Sequence, residues 1–258
     1  MSIDKVVILA AGLGNRISAV SRTTPKPLLP IDGADTTFLD FHLENLRARG
    51  VRELYIVGNH VTCNAKIRAA GDVRWILNPT DDLSTSGSAH SAWFAWNDPR
   101  AILDGKSRVV LMDADIVYEP AIFDLLDGAG AHSKTLVCSA FRETNEEVLV
   151  FGDPPRFHGK GLLGTPLVAG LPCLGEATGI VLFEPRDHAL VRAVTDWLMK
   201  YSTAKTRSEH EDITQRLMLL DRVRAVSFGE ERLFMEVDTP EEYRVLTEEM
   251  WPRLAKLR

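Results

Sequence analysis

The chain has 258 residues, 45% hydrophobic and 26% charged, an ordinary globular balance with enough apolar material for a sizeable core. Its formal net charge of −6 argues against a duplex-binding protein, so any phosphate must be met by a few local Arg and Lys side chains. Three scattered cysteines, Cys63, Cys138 and Cys173, show no CxxC spacing and argue against a disulfide framework or a zinc site. No signal-peptide pattern opens the chain and no apolar run approaches the roughly 18 residues of a membrane helix. The expectation is a soluble cytoplasmic protein that binds neither membrane nor nucleic acid.

Residues 5–11 contain the continuous apolar run Val6, Val7, Ile8 and Leu9, the pattern of a strand buried on both faces. Leu39, Leu43 and Leu46 recur with helical spacing and predict a helix over residues 38–49, stopped by Gly50. Strands are predicted over 54–57 and 73–77, with helices over 63–70 and 88–96. Val109 to Met112 form a fourth strand that ends at Asp113 and Asp115. Strands alternating with helices predict an α/β fold with a parallel or mostly parallel sheet and right-handed crossovers. Ligands then sit beyond the carboxyl ends of the strands.

The second half is less regular. Strands are predicted over 135–141, 180–183, 223–227 and 234–237, and helices over 189–200 and 209–220. Residues 152–175, rich in Gly and Pro, read as a surface excursion or substrate flap. Thr239, Pro240 and Glu242 make a capping box for a terminal helix. No repeat or linker divides the chain, so residues 1–258 read as one domain.

The first strand runs into Leu9-Ala10-Ala11-Gly12-Leu13-Gly14-Asn15-Arg16. Small residues and glycines let backbone N–H groups approach phosphate oxygens, and Arg16 adds a guanidinium fork for a polyphosphate. The loop is not a P-loop, because GxxxxGK[ST] is absent. Nor is it a dinucleotide fingerprint, because Ile17 stands where GxGxxG needs its last glycine. On its glycines alone, a plain strand-to-helix turn reads equally well.

Thr24-Pro25-Lys26-Pro27-Leu28-Leu29-Pro30 follows. Pro25 and Pro27 are expected to deny Lys26 a helical setting and hold it extended, where it can meet the same anion as Arg16. Asp113-Ala114-Asp115 places two carboxylates on one side of a strand end. Such a pair is costly to desolvate unless solvated, paired or on a metal, and carboxylates with substrate phosphates are the usual way to hold Mg²⁺. In Glu236-Val237-Asp238-Thr239-Pro240, Thr239 and Glu242 already cap the helix, which leaves Asp238 for another task. The alternative is that Asp238 only favours the helix N-terminus.

LAAGLGNR followed by PKPLLP resembles the signature of the nucleotidyltransferases that activate sugars, choline and related small molecules. The order of motifs, through the Ser/Thr segment, DAD and EVDTPEEY, looks most like the phosphocholine and phosphonate cytidylyltransferases. The resemblance implies a Rossmann-like three-layer α/β/α domain of the GT-A-like kind, with a mostly parallel mixed sheet. It implies that Leu9, Ala10, Ala11, Gly12, Gly14, Asn15, Arg16 and Lys26 hold the nucleotide, together with Asn78, Ser86, Ser91 and Asp113. Lys26 would stabilise charge at the reacting phosphorus, Arg16 and Lys26 the departing pyrophosphate, and Asp115 and Asp238 would bind Mg²⁺. The implied reaction moves CMP from CTP to a small phosphonate or phosphorylated alcohol and releases pyrophosphate.

The helix start Ser208-Glu209-His210-Glu211-Asp212 offers Glu211 and Asp212, with Glu176, to a cationic headgroup on the acceptor. The competing reading is a capping box between Ser208 and Glu211. Trp93, Trp96 and Trp197 do not cluster in the sequence as a quaternary-ammonium cage would, which favours a phosphonate over choline. Three other readings stay open: a sugar-1-phosphate nucleotidyltransferase using UTP or dTTP, a GT-A-like glycosyltransferase using DAD as a DxD pattern, and a nucleotide sensor on the same fold. A homodimer is compatible with all of them.

Overall fold

The computed structural model describes residues 3–12, 17, 24–33, 35–127, 132–141 and 147–257. Its first half is a parallel sheet. β1 (Lys5–Ala10) lies between β2 (Glu53–Gly58) and β4 (Val109–Asp113), and β3 (Arg74–Leu77) pairs with β2 on the outside. β9 (Cys173–Phe183) runs antiparallel to β4 and to β6 (Ser133–Cys138), while β10 (Val223–Phe228) pairs parallel with β6. The strand order is therefore β10-β6-β9-β4-β1-β2-β3. A hairpin of β7 (Val148–Phe151) and β8 (Phe157–Lys160) joins the edge of β9. β5 (Ile116–Tyr118) and β11 (Phe234–Glu236) form a separate antiparallel ribbon.

β1 is buried along its whole length because helices cover both faces of the sheet. Val6, Ile8 and Ala10 pack with Phe38, Leu39, Phe41 and Leu43 of α1 (Phe38–Ala48) on one side. Val7 and Leu9 belong to the opposite layer, with α3 (Ser88–Trp96), α4 (His188–Tyr201) and α5 (His210–Leu219). Each fully buried Leu, Ile or Phe in these layers contributes about 1.5–3 kcal/mol. The chain closes with α6 (Pro240–Val245), a π-helical turn over Leu246–Met250 and α7 (Trp251–Leu254), whose Leu246 and Leu254 join the α1 layer. Among the described residues, no helix is long and apolar enough to cross a membrane.

Local rules account for most boundaries. Thr37 and Asp40 form a reciprocal capping box at the start of α1, and Gly50, at φ +77°, follows its end. The helix expected over residues 63–70 is instead the short α2 (His60–Cys63). Asn59 caps it by accepting from the amides of Val61 and Thr62. Beyond it, α1 side chains satisfy the backbone: Asp40 accepts from the Ala69 amide at 2.7 Å, and Arg47 donates to the carbonyls of Ala69 and Ala70. Long-range hydrogen bonds thus replace helical ones. The strand expected over 180–183 begins at Cys173, and the one expected over 135–141 is Ser133–Cys138. Part of the predicted excursion is ordered by β8, which Gln215 of α5 grips by accepting from the His158 amide and donating to the Arg156 carbonyl.

His42 of α1 is fully buried beneath the β4–β5 connection. Its Nε2 lies 3.1 Å from the Ala114 carbonyl, which can only accept, so Nε2 carries the proton and Nδ1 accepts from the Tyr118 hydroxyl at 3.1 Å. Burial holds His42 neutral, with a pKa down to about 4 against a carbonyl bond and the Asp115 charge that act the other way. Between pH 6.5 and 4 the unfolded chain therefore binds a proton that the folded chain refuses, and stability falls as pH falls. His42→Gln keeps a donor but does not titrate. Its urea-derived stability should fall less steeply over that window than the wild type's, by up to about 1.4 kcal/mol per pH unit. Parallel slopes would contradict the assignment of a buried neutral imidazole.

Candidate active site

β1 and β4 are parallel neighbours, with Leu9 in register with Asp113, so their carboxyl ends open into one place. There the chain forms a cleft of about 320 Å³, lined by Leu9 to Gly12, Lys26, Pro27, Ser86 to Ser88, Ser91, Asp113 to Asp115, Glu209 and Asp238. Leu9, Ala10, Ala11 and Gly12 thus form one wall. α2 pins the start of the loop: Asn59 donates to the Ala11 carbonyl at 3.1 Å and Thr62 to that of Ala10 at 3.2 Å. Gly14, Asn15 and Arg16 lie outside the described residues.

Lys26 does not sit in an extended segment. It opens a 3-10 turn over Lys26–Leu28, with Pro25 extended at φ −53° and ψ 140° as its cap. Pro27 falls in the first turn, where the missing N–H costs nothing, so the prolines shape the turn rather than forbid it. The Lys26 side chain is 6% exposed, and its Nζ donates to Asp115 Oδ2 at 2.7 Å and to Asp238 Oδ1 at 2.6 Å.

The two acids of Asp113-Ala114-Asp115 do not share a direction. β4 ends at Asp113 and the chain bends into β5, while His42 holds the intervening Ala114 carbonyl. Asp115 joins Glu236 and Asp238, with carboxylate oxygens within 4.8 Å of one another. Asp113 lies instead with His210 and Glu211 in a second cluster of the same reach. The β5–β11 ribbon builds the first cluster, aligning Glu236 with Ile116 and letting the Val237 amide donate to the Asp115 carbonyl at 3.0 Å. Thr239 and Glu242 cap α6 as expected, and Glu242 also accepts from the Asp238 amide at 2.8 Å. The Asp238 carboxylate turns to Lys26. Glu236 is the cluster member that sequence reasoning missed, although its two-residue spacing from Asp238 was a usable signal.

Charge is concentrated here. Burial, then the charges of Asp115 and Asp238, pushes Glu236 well above the usual carboxylate range. Burial also raises Asp113, helped by Asp115, Glu211 and Glu209. For Lys26 burial acts downward, but Asp115 and Asp238 outweigh it and hold its pKa above the ordinary value. Gly179, at φ +70°, leaves room for Asp113, since a Cβ there would fall 2.2 Å from Asp113 Oδ2.

The Ser-rich loop faces this acidic floor. Asn78 is fully buried and donates to Ser86 Oγ at 2.9 Å and Ser91 Oγ at 3.1 Å. It organises the loop, while Ser86 and Ser91 reach the cleft. Gly87 allows residues 206–208 to close over α3, since a Cβ would meet the Ser208 carbonyl at 2.3 Å. The capping box of α5 pairs Glu209 with Asp212, not Ser208 with Glu211, because Ser208 is buried against Ser202 and Ala89. Asp212 is thereby committed to the helix start and to Arg216, 3.7 Å away, whereas Glu211 stands beside His210 at 3.2 Å. Glu176, on β9, is outside the cleft lining. Its pKa is raised to about 7 by burial and then by Glu147, Glu242 and Asp238. Trp96 is core, Trp93 donates to Asp196, and Trp197 lies under the Arg216 guanidinium, so none of the three lines the cleft.

The donor set fits a hard divalent cation, since three carboxylates converge from the ends of β4 and β11. The chain is similar over its whole length to the inositol-1-phosphate CTP transferase from T. maritima, with TM-score 0.75 at 16% identity, covering 100% of this chain and 97% of that one. It is likewise similar to the CTP:phosphocholine cytidylyltransferase from Streptococcus pneumoniae, with TM-score 0.69 at 17% identity, covering 97% and 100%. These are likenesses of fold. In sequence, 130 residues are 34% identical to the CMP-5'-(3-aminopropyl)phosphonate synthase of Streptomyces rubellomurinus, covering 48% of this chain and 19% of that protein. A further 32% identity over 120 residues links it to the N-acetylmuramate alpha-1-phosphate uridylyltransferase of Neisseria meningitidis serogroup B, covering 43% and 49%. The chain thus spans between a fifth and a half of the length of these curated relatives. Residues 6–179 match the MobA-like NTP transferase domain, and the chain belongs to that family.

Proposed function

We propose that the chain is a divalent-cation-dependent cytidylyltransferase that moves CMP from CTP to a small phosphonate or phosphorylated alcohol and releases pyrophosphate. The observation that carries this reading is the convergence of Lys26 with Asp115, Glu236 and Asp238 beside the loop that follows β1. A lysine and a carboxylate cluster at the carboxyl edge of a parallel sheet suit a metal–polyphosphate complex. The similarity to a phosphonate-activating relative supports cytidine and a phosphonate. The similarity to a muramate-phosphate uridylyltransferase supports a second reading, transfer to a sugar 1-phosphate.

Asp115, Glu236 and Asp238 would hold Mg²⁺, which when bound neutralises charge on the phosphate and on the incoming oxygen. Lys26, Ala11 and Gly12 border the same space; the lysine and the loop amides would bind the triphosphate, with Arg16 as a further fork. The acceptor oxygen is already anionic and needs no general base. A new bond forms between that oxygen and the α-phosphorus as the α–β bridging bond breaks, and both electrons leave with pyrophosphate. The protein's task is in-line placement. Ser86 and Ser91 are suited to the base or ribose. Asp113 and Glu209 line the cleft and, with Glu211 beside Asp113, would favour a cationic amine on the acceptor. A cytoplasmic location and self-association as a homodimer are compatible with this reading.

Pyrophosphate release with Mg²⁺, crossing four nucleoside triphosphates with phosphocholine, aminoalkylphosphonates, hydroxyalkylphosphonates and sugar 1-phosphates, tests it. Release confined to CTP with a phosphonate or phosphocholine is the expected result. Release with UTP and a sugar phosphate would replace it with the second reading, and nucleotide binding without turnover would favour a sensor. Lys26→Ala should lower turnover by about 100-fold or more while circular dichroism stays native. Turnover near wild type would remove Lys26 from the reaction.

A further inference from the structure

Lys26 stands where a cation belongs. Its Nζ is 2.7 Å from Asp115 Oδ2 and 2.6 Å from Asp238 Oδ1, and its side chain is 6% exposed while those of Asp115 and Asp238 keep 28% and 20%. These carboxylates, with Glu236, form the set that converges within 4.8 Å. A divalent ion would need the same oxygens at roughly 2.0–2.6 Å. An ammonium bonded to those oxygens would then lie a few ångströms from the ion, where like charges repel strongly in a partly dry site.

We propose that Lys26 is the resident counter-ion of this cluster and that a divalent cation enters only by displacing it. The displaced ammonium needs another anion, and the cleft that Lys26 borders together with Ala11 and Gly12 is where one would lie. If that anion is a nucleotide polyphosphate, as the proposed function has it, metal and nucleotide each lower the cost of binding the other. Linkage makes that coupling reciprocal. Metal alone then binds weakly, because it must break two short charge-assisted hydrogen bonds without giving the lysine a partner.

The test uses Mn²⁺ alone, with no nucleotide, on the full chain. Free Mn²⁺ is counted by electron paramagnetic resonance for the wild type, Lys26→Met and Lys26→Arg. Lys26→Met should bind one Mn²⁺ at least about tenfold more tightly than the wild type, while Lys26→Arg keeps a cation in place and stays weak. Equal or weaker binding by Lys26→Met would overturn the proposal. So would a single site lost in His210→Asn but unchanged in Lys26→Met, since the ion would then belong to the cluster of Asp113, His210 and Glu211. Thermal unfolding gives a second reading. Lys26→Met should be less stable than the wild type in EDTA and gain more from Mn²⁺. Failure to fold even with Mn²⁺ would contradict the idea that a divalent ion takes over the lysine's place. None of these outcomes depends on which substrates turn over, so a negative pyrophosphate assay would sink the proposed reaction without touching this one.

Discussion

The bonds from Lys26 to Asp115 and Asp238 join segments 89 and 212 residues apart in the chain. They are the point where the start, middle and end of the fold meet. Carboxylates crowded at a sheet edge repel one another and resist desolvation, so gathering them takes a cation or a retained proton, as the raised pKa of Glu236 reflects. In the described structure that cation is Lys26. The turn made by Pro25 and Pro27, the bend after β4 and the β5–β11 ribbon each deliver one participant.

The scaffold holds this charge in place through neutral groups. His42, held neutral, donates to the Ala114 carbonyl between two acids that join different clusters. One cluster holds Asp115, Glu236 and Asp238 around Lys26. The other holds Asp113, His210 and Glu211. The separation sends the two acids of one short motif into two different clusters of possible ligands. Asn78 plays a similar supporting part for the serine loop, buried itself while its hydrogen bonds set Ser86 and Ser91.

Much of the fold was legible in the sequence because the signals were local. The continuous apolar run of β1, the spacing of Leu39, Leu43 and Leu46, and the Thr239–Glu242 capping box each depend on residues within a few positions. α3 was predicted with its observed bounds. The errors lie where distant groups decided. α2 is short because Asp40 and Arg47 take up the backbone that follows it. Asp212 serves a capping box because burial of Ser208 moves the helix start by one residue. The divergence of Asp113 and Asp115, and the entry of Glu236 into the cluster, follow from a ribbon that pairs residues more than a hundred positions apart. No local pattern encodes such pairing.

In the proposed reaction the cluster of Asp115, Glu236 and Asp238 receives a metal together with a nucleotide. The most direct measurement is calorimetric titration with a non-reactive CTP analogue, with and without Mg²⁺, on the wild type and on Asp238→Asn. Mg²⁺ should tighten binding by about tenfold or more in the wild type, the size of an ordinary coupling between two sites, and by much less in the variant. Equal tightening in both proteins, or none in the wild type, would contradict it.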